Sequence, residues 1–487
     1  MRPAVITFSI FLGVLGAVSV LPARAAEDEC RPGGCSLDLA VKNIGLSFGN
    51  SRRFNGLRLN LVDDGVEEMN GVNVTLWKPG RNPDAAMRGL MLGLVAINAA
   101  DLRGVSIGGL AVVGESCVEG ISIAGLASVA EGSMTGISIA GLASVAEGSM
   151  TGISIAGLAS VAEGSMTGFS IAGLASVAEG SVTGFSIAGL ASVAEGSMTG
   201  FSIAGLASVA EGSMTGFSIA GLASVAEGSM TGFSIAGLAS VAEGSITGFS
   251  VAGLASVAEG NMAGISLAGL ASVTEKSMTG ISIAGLAAVA ERSMTGISVA
   301  GLAAVAERNM TGISVAGLAI AGEDEINGLA ASLGSIISDG DINGVALGAV
   351  GLLGLRSSRS EDDEGYSRSL DISPSFTGIR ARNVRWLAIH GMDIRAEDSL
   401  LGMGISGIAL RADEIRGGAV AGIVVKTRDL GGVSISSVNY VDGPQIGVSI
   451  GIVNYARELR GFQLGLLNIA KNNPRGLRVL PVLNAHL

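Results

Sequence analysis

Histidine is almost missing from this chain: there are two, His390 and His486. The three cysteines, Cys30, Cys35 and Cys117, lie far from both in sequence, which argues against a Cys/His zinc site; no cofactor is expected. Aromatics make up 3% of the residues, with three Tyr and two Trp, too few for the aromatic girdles of outer-membrane barrels. The charged fraction is 15%, against about 25% in ordinary soluble domains. The net charge of −12 argues against nucleic acid as a partner, because phosphate binding needs clustered Lys and Arg. No mature segment offers about 18 uncharged apolar residues without Gly, Ser or Thr, which disfavours a helical membrane protein. Catalytic motifs are missing too. "GISIAG" lacks the Lys-Ser/Thr of a phosphate loop, no Gly-x-Ser-x-Gly stands between strand and helix, and neither histidine has a motif around it. A non-enzymatic protein is expected.

The N-terminus reads as an export signal, residues 1–25. Arg2 supplies the positive start, Ala4 to Leu21 is a short apolar run, and Ala23-Arg24-Ala25 is a small-x-small cleavage pattern, so the mature chain begins at Ala26. In an exported chain Cys30 and Cys35, flanking "RPGG", are candidates for a disulfide. Cys117, left over inside an apolar stretch, is expected to be a buried small hydrophobe.

More than half of the chain is one phrase repeated. Glycines fall at every sixteenth residue from Gly104 to Gly344, sixteen anchors without a slip, which marks a repeat architecture. Counting each anchor as position one, "GISIAGLASVAE" alternates large and small residues with period two, the signature of a strand. "EGSMT" reads as the turn. Position two is Phe from Phe169 to Phe249 and Ile in most other units, which keeps a large β-former on one face. Position twelve is Glu, as in Glu131, Glu147 and Glu163, expected to solvate each turn. Three glycines in most units argue against helix, so the fold class is all-β.

Two closures suit this pattern. The preferred one is an antiparallel outer-membrane-type meander β-barrel, with Ile/Phe, Ile, Ala and Val toward lipid and a Ser- and Ala-rich lumen face. The alternative is a parallel β-solenoid, one coil per repeat, turning at the position-six glycine with Ile, Leu, Val and Met inside. The drifting spacings outside the array, such as Gly56, Gly71, Gly89 and Gly104, speak for hairpins. So does the terminus, where Leu477, Val479, Pro481, Leu483 and Ala485 alternate as a closing strand with a lipid-facing side would.

Around the signal and array the chain divides into a polar lead-in 26–55, irregular repeats 56–103, the strict array 104–355, an acidic Ser-rich loop 356–385 and degenerate repeats 386–487. "SDGDINGVAL" places Asp339, Asp341 and Asn343 as a calcium loop would, but Val350 stands where the bidentate Glu belongs. These three are therefore a weak metal candidate, better read as an acid-rich turn.

"RGFQLGLLNIAKNNPRGLRVLPVLNAHL" (460–487) and "FNGLRLNLVDDGVEEMNGVNVTLWKPG" (54–80) resemble the bacterial surface-repeat family first named from leptospiral proteins. Gln463, Gly465, Leu466 and Asn468 match its Gly-apolar-Gln-apolar-Gly-Leu-x-Asn repeat, and Leu480, Pro481, Asn484 and His486 match its tail. The array resembles it in rhythm only, with Ser where Gln and Asn would stand. The resemblance implies an exported envelope protein of the outer membrane or cell surface and brings no catalytic residues. The expected roles are a structural or pore-like protein in the lipid bilayer or, alternatively, a surface solenoid acting as adhesin or scaffold.

Overall fold

A unit that alternates faces and returns every sixteen residues can stack on its own copy. The computed structural model describes residues 36–349 and 378–486, and the backbone alone of 354–362 and 365–373. In a typical unit the bent strand Met150–Ala156 leads through a Gly157-Leu158 corner into the short strand Ala159–Ala162, then into a turn at Glu163, Gly164 and Ser165. Both strands pair in parallel with their own copies, Gly152 beside Gly136 and Gly168, and Ser160 beside Ser144 and Ser176. The corners join the ladder as well: Leu158 N donates to Leu142 O at 2.8 Å, and Glu163 N to Ala146 O at 3.0 Å. The chain is a parallel β-solenoid with one coil per repeat.

The preferred barrel is therefore corrected. A meander needs the chain to reverse direction at each turn, whereas the corner and the three-residue turn together bring it round to the same direction. Met and Thr of "EGSMT" belong to the strand, not to the turn. The drifting spacings do not demand hairpins either. Gly56, Gly71 and Gly89 remain in register across coils of different length, and the connecting turns absorb the difference.

The anchors have a backbone reason. All sixteen glycines from Gly104 to Gly344 have φ between +112° and +139°, where an L-residue is strained, and they bend the long strand. One coil breaks the rule. Trp386 occupies the same column, paired with Gly344 and Gly402, at φ +92° and 77% exposed. An outlier of this kind costs on the order of 1–3 kcal/mol. Trp386→Gly is expected to stabilise the chain by about 1–2 kcal/mol, read as a rise in urea midpoint. A lower midpoint would mean that the indole contributes packing that outweighs the strain.

The facing found is the one reasoned for the barrel; of the Ile, Leu, Val and Met reasoned for the solenoid's interior, Met alone goes inside in a typical unit. Met150, Ser154, Ala156, Ser160 and Ala162 point inward and are buried, while Ile153, Ile155 and Leu158 are exposed. Closure explains it. Sixteen residues enclose a narrow section that Ser, Ala and one Met fill in most units, and some units admit an Ile at an inward position, as at Ile246, Ile320 and Ile336. Each inward Met contributes about 1.5–3 kcal/mol of burial. The inward serines must find partners, and they find one another: Ser154 and Ser160 hydroxyls lie 2.8 Å apart, and Ser138 and Ser144 likewise. Where the ninth position is Ala288 or Ala304, the facing Ser282 or Ser298 hydroxyl is buried without a partner.

The degenerate C-terminal coils fill the same inward positions with longer amides. Asn439 Nδ2 donates to Asn454 Oδ1 at 2.8 Å, Asn454 Nδ2 to Asn468 Oδ1 at 2.7 Å, and Gln463 Nε2 to Gln445 Oε1 at 3.3 Å. The Gln and Asn of the family-like motif thus stand at the interior polar positions that serine takes in the array.

Both described ends turn antiparallel. Ser36–Val41 pairs with Ile44–Gly49, and Val479–His486 folds back on Val453–Ala470. These strands cover the open ladder edges that a parallel stack would otherwise present. The terminal apolar series Leu477, Val479, Pro481, Leu483 and Ala485 does face outward, but on a solenoid cap. His486 Nδ1 donates to Asn473 Oδ1 at 2.5 Å, and Asn473 Nδ2 to Asn484 Oδ1 at 2.8 Å, so the tail motif locks the cap. The stretch 356–385 is not wholly a loop. Gly354–Asp362 and Gly365–Ser373 form an antiparallel ribbon separate from the main sheet, and the next coil resumes at Ile379, in register with Ile336.

Candidate functional site

Stacking turns each outward residue into a column. On the long-strand face the columns are Thr, the Phe or Ile of position two, and the Ile of position four; Leu lines the corner. From Phe169 to Phe233 successive rings stack with centroids 4.6–4.7 Å apart and planes tilted by 1°. The last pair, Phe233 and Phe249, opens to 5.7 Å and 30°. A shallow furrow, with room of only about 20 Å³, follows this column, floored by Gly200, Gly216 and Gly232 and lined by Thr199, Phe201 and Phe217. It continues toward the N-terminus past Thr167, Gly168 and Phe169.

The Glu column runs along the turn that leads into this strand. Burial and the neighbouring carboxylates of Glu195 and Glu163 push Glu179 above the usual carboxylate range. Between Arg103 and Lys276 the sequence has no Lys or Arg, so the column from Glu131 to Glu259 has no basic residue within its own stretch of chain. At the C-terminal end of the array Lys276, Arg292 and Arg308 replace the turn glycine and border an open pocket with Glu275 and Glu291.

The residues singled out in the sequence sit elsewhere. Asp341 accepts from Asn383 Nδ2 at 2.7 Å and pairs with Arg385 Nη2 at 3.1 Å; Asn343 donates to Asn327 Oδ1 at 2.9 Å. Asp339 is held through its backbone, N to Glu323 O at 3.0 Å. The acidic turn is thus part of lateral side-chain ladders, and among the described residues no group of three His, Cys, Asp or Glu is placed to hold a metal ion. Cys30 and Cys35, and the export signal, lie outside the described residues. Cys117 is half-buried rather than buried, and its Sγ donates to Asp101 Oδ1 at 3.1 Å; burial is the first cause raising its thiol pKa.

His390 is buried at the coil that resumes the stack. Its Nε2 donates to Gly334 O at 3.2 Å, and its Nδ1 accepts from Met392 N at 3.0 Å, which fixes one neutral tautomer. Burial pulls the imidazole below its ordinary 6.5, outweighing the Gly334 carbonyl and Asp393, which favour the cation. The sign follows: above about pH 6.5 the histidine's contribution is complete, and it is lost as pH falls because the unfolded chain takes the proton first. Burial raises the Asp393 carboxyl, which adds stability only at low pH and loses it as pH rises. The unfolding midpoint should therefore fall between about pH 7 and about pH 5, and His390→Gln should flatten that slope. An unchanged slope would rule out His390 as its source.

A further polar cluster had only partial sequence signal. Arg58 and Asp63 are fully buried and paired in the N-terminal coils; Arg58 Nε also donates to Asn73 Oδ1 at 3.0 Å and Nη1 to Ser51 O at 2.6 Å. Asp63 accepts as well from Asn60, Thr75 and Asn73, the last at 2.9 Å. Burial pushes the guanidinium down to about 10. Every partner is internal, so the cluster is a structural plug; "LRLNLVDDG" does not announce it, because alternation alone does not reveal a buried pair. The outward columns were legible as an alternating face, but not as a free surface. Comparison with protein-family profiles, curated proteins and solved structures finds no match to this chain.

Proposed function

We propose that this chain is an exported, non-enzymatic envelope protein whose solenoid serves as a rod-like surface scaffold for binding. The observation that carries this reading is the inversion of the array: Ala, Ser and Met fill the interior, while Phe, Ile and Leu stand outside in continuous columns. A soluble rod gains nothing by exposing such columns, and contiguous apolar surface of this extent marks an interaction face. The export signal and the likeness of residues 460–487 to the surface-repeat family support an envelope address. A second reading keeps the bilayer as partner. The outward Ile and Leu columns would let the rod lie on a lipid surface, without spanning it.

Imaging and fractionation test the reading. At about 4.8 Å per coil the strict array alone spans roughly 70 Å, so purified mature protein should image as a thin rod. In cells it should sit in the envelope fraction and be released by urea. Ring-shaped particles, or a protein that resists SDS until heated, would sink the scaffold reading.

A further inference from the structure

We propose that the coils from Phe169 to Phe249 form a binding track for a flat, elongated aromatic cation, lying parallel to the rod axis against the Phe column. The inference deepens the scaffold reading and rests on it only in needing this outward face to be free.

Three observations meet in the same coils. Phe replaces Ile at position two in six consecutive units and nowhere else in the array. Their rings stack in one register at 4.6–5.7 Å, so their edges make a continuous ribbon roughly 24 Å long. The glycine column beside them leaves a trough, since a side chain there is forbidden by the bend. A planar molecule laid in that trough offers its π-face to ring edges, the favoured edge-to-face geometry. The second component is charge. The Glu column of these coils falls within the stretch without Lys or Arg, and Glu179 is raised first by burial and then by the Glu195 and Glu163 carboxylates, whose repulsion a cation relieves. Both features end together. Phe gives way to Ile265, and in the same sixteen-residue unit Lys276 enters the turn beside the Glu column.

Other occupants fit the chemistry less well. A second copy would add another stretch with Glu and no Lys or Arg beside this one. An anionic bilayer is repelled by the same carboxylates. Length also discriminates: the apolar Ile and Leu columns run along the whole array, whereas the aromatic and acid-only stretch is short enough for one extended small molecule.

The test uses the full mature chain and thioflavin T, a planar benzothiazolium cation. Binding is read by fluorescence enhancement and by linear dichroism on aligned rods. Wild type should show saturable binding with the dye's long axis along the rod. Replacing all six rings (Phe169→Ile, Phe185→Ile, Phe201→Ile, Phe217→Ile, Phe233→Ile and Phe249→Ile) should weaken binding at least about tenfold. The fold is protected in that variant, because Ile fills the same column at Ile137, Ile153 and Ile265, and circular dichroism checks it. Glu179→Gln with Glu195→Gln should weaken binding several-fold and flatten its salt dependence. Equal affinity in the six-fold Ile variant overturns the proposal. So does a wild-type dimer in sedimentation that the Ile variant loses, which would assign the face to a second copy. Capture by phosphatidylcholine vesicles that requires the rings, without dye binding, overturns it as well. A failed dye titration leaves the rod image intact, so the two readings fail separately.

Discussion

Gly200→Ala is expected to destabilise the array by about 3 kcal/mol or more, a large fraction of the stability of an ordinary domain. Two costs add. At φ +119° the backbone at Gly200 is one that alanine rarely adopts. The new methyl would also stand 2.2 Å from Gly184 O, a backbone atom held in the ladder, so no side-chain rotation relieves the contact. The damage should spread, because a solenoid is stabilised by nearest-neighbour contacts and a coil that shifts loses both neighbours. Gly212 is the matched control. There the ideal methyl meets the Ser197 hydroxyl at 2.6 Å and the backbone Gly196 C and Ser197 N at 2.9 Å, looser than the 2.2 Å contact at Gly200; φ is not positive, and the column carries Lys276, Arg292 and Arg308 in other units. Gly212→Lys should cost clearly less than Gly200→Ala, because its backbone is not in the left-handed region and other units carry Lys or Arg there. Urea unfolding of the two variants beside wild type makes the comparison. Equal midpoints would show that the sixteen-residue glycine is not the bend on which coil geometry depends.

Asp63→Ala should cost about 3–5 kcal/mol, concentrated in the N-terminal coils. Arg58 and Asp63 are 0% and 2% exposed, so removing the carboxylate leaves the guanidinium without its direct partner, with only the Asp38 charge beyond it, and strands Asn60, Asn73 and Thr75 without their shared acceptor. Hydrogen exchange should show residues 53–75 opening while the Phe coils stay protected, since repeat contacts are local. Replacing both partners by apolar residues of similar size, Arg58→Met with Asp63→Leu, should recover much of the loss, because the desolvation penalty goes with the charges. If the single variant unfolds no sooner than wild type, the pair is not the plug described.

Local chemistry made several features readable. Alternation separated Ser154 and Ala156 from Ile153 and Ile155, and the two sets do face opposite ways. The glycine anchors were readable as places where each unit bends, and their positive φ gives the reason. Phe was readable as a same-face replacement for Ile, and Phe169 takes Ile153's place in the ladder. The candidate track was not readable, because a column exists only after copies sixteen residues apart are brought to one strand spacing. Nor was the role of the tail motif: Asn484 and His486 acquire meaning only against Asn473 on the last coil. Trp386 gave no signal at all, since nothing in "NVRWLAIH" announces that it sits in a glycine column.

Residue order by itself determined that this chain is extended, Gly-bent and periodic, because φ preference and in-out alternation act within a few residues. Whether neighbouring units run parallel or antiparallel was decided only in three dimensions. Both arrangements satisfy the same alternation and bring like faces together; they differ in whether the Gly-Leu corner and the Glu-Gly-Ser turn reverse the chain or carry it round. Closure then chose the interior. In most units of the array the narrow section took serine, alanine and methionine inward and left the Phe, Ile and Leu columns outside.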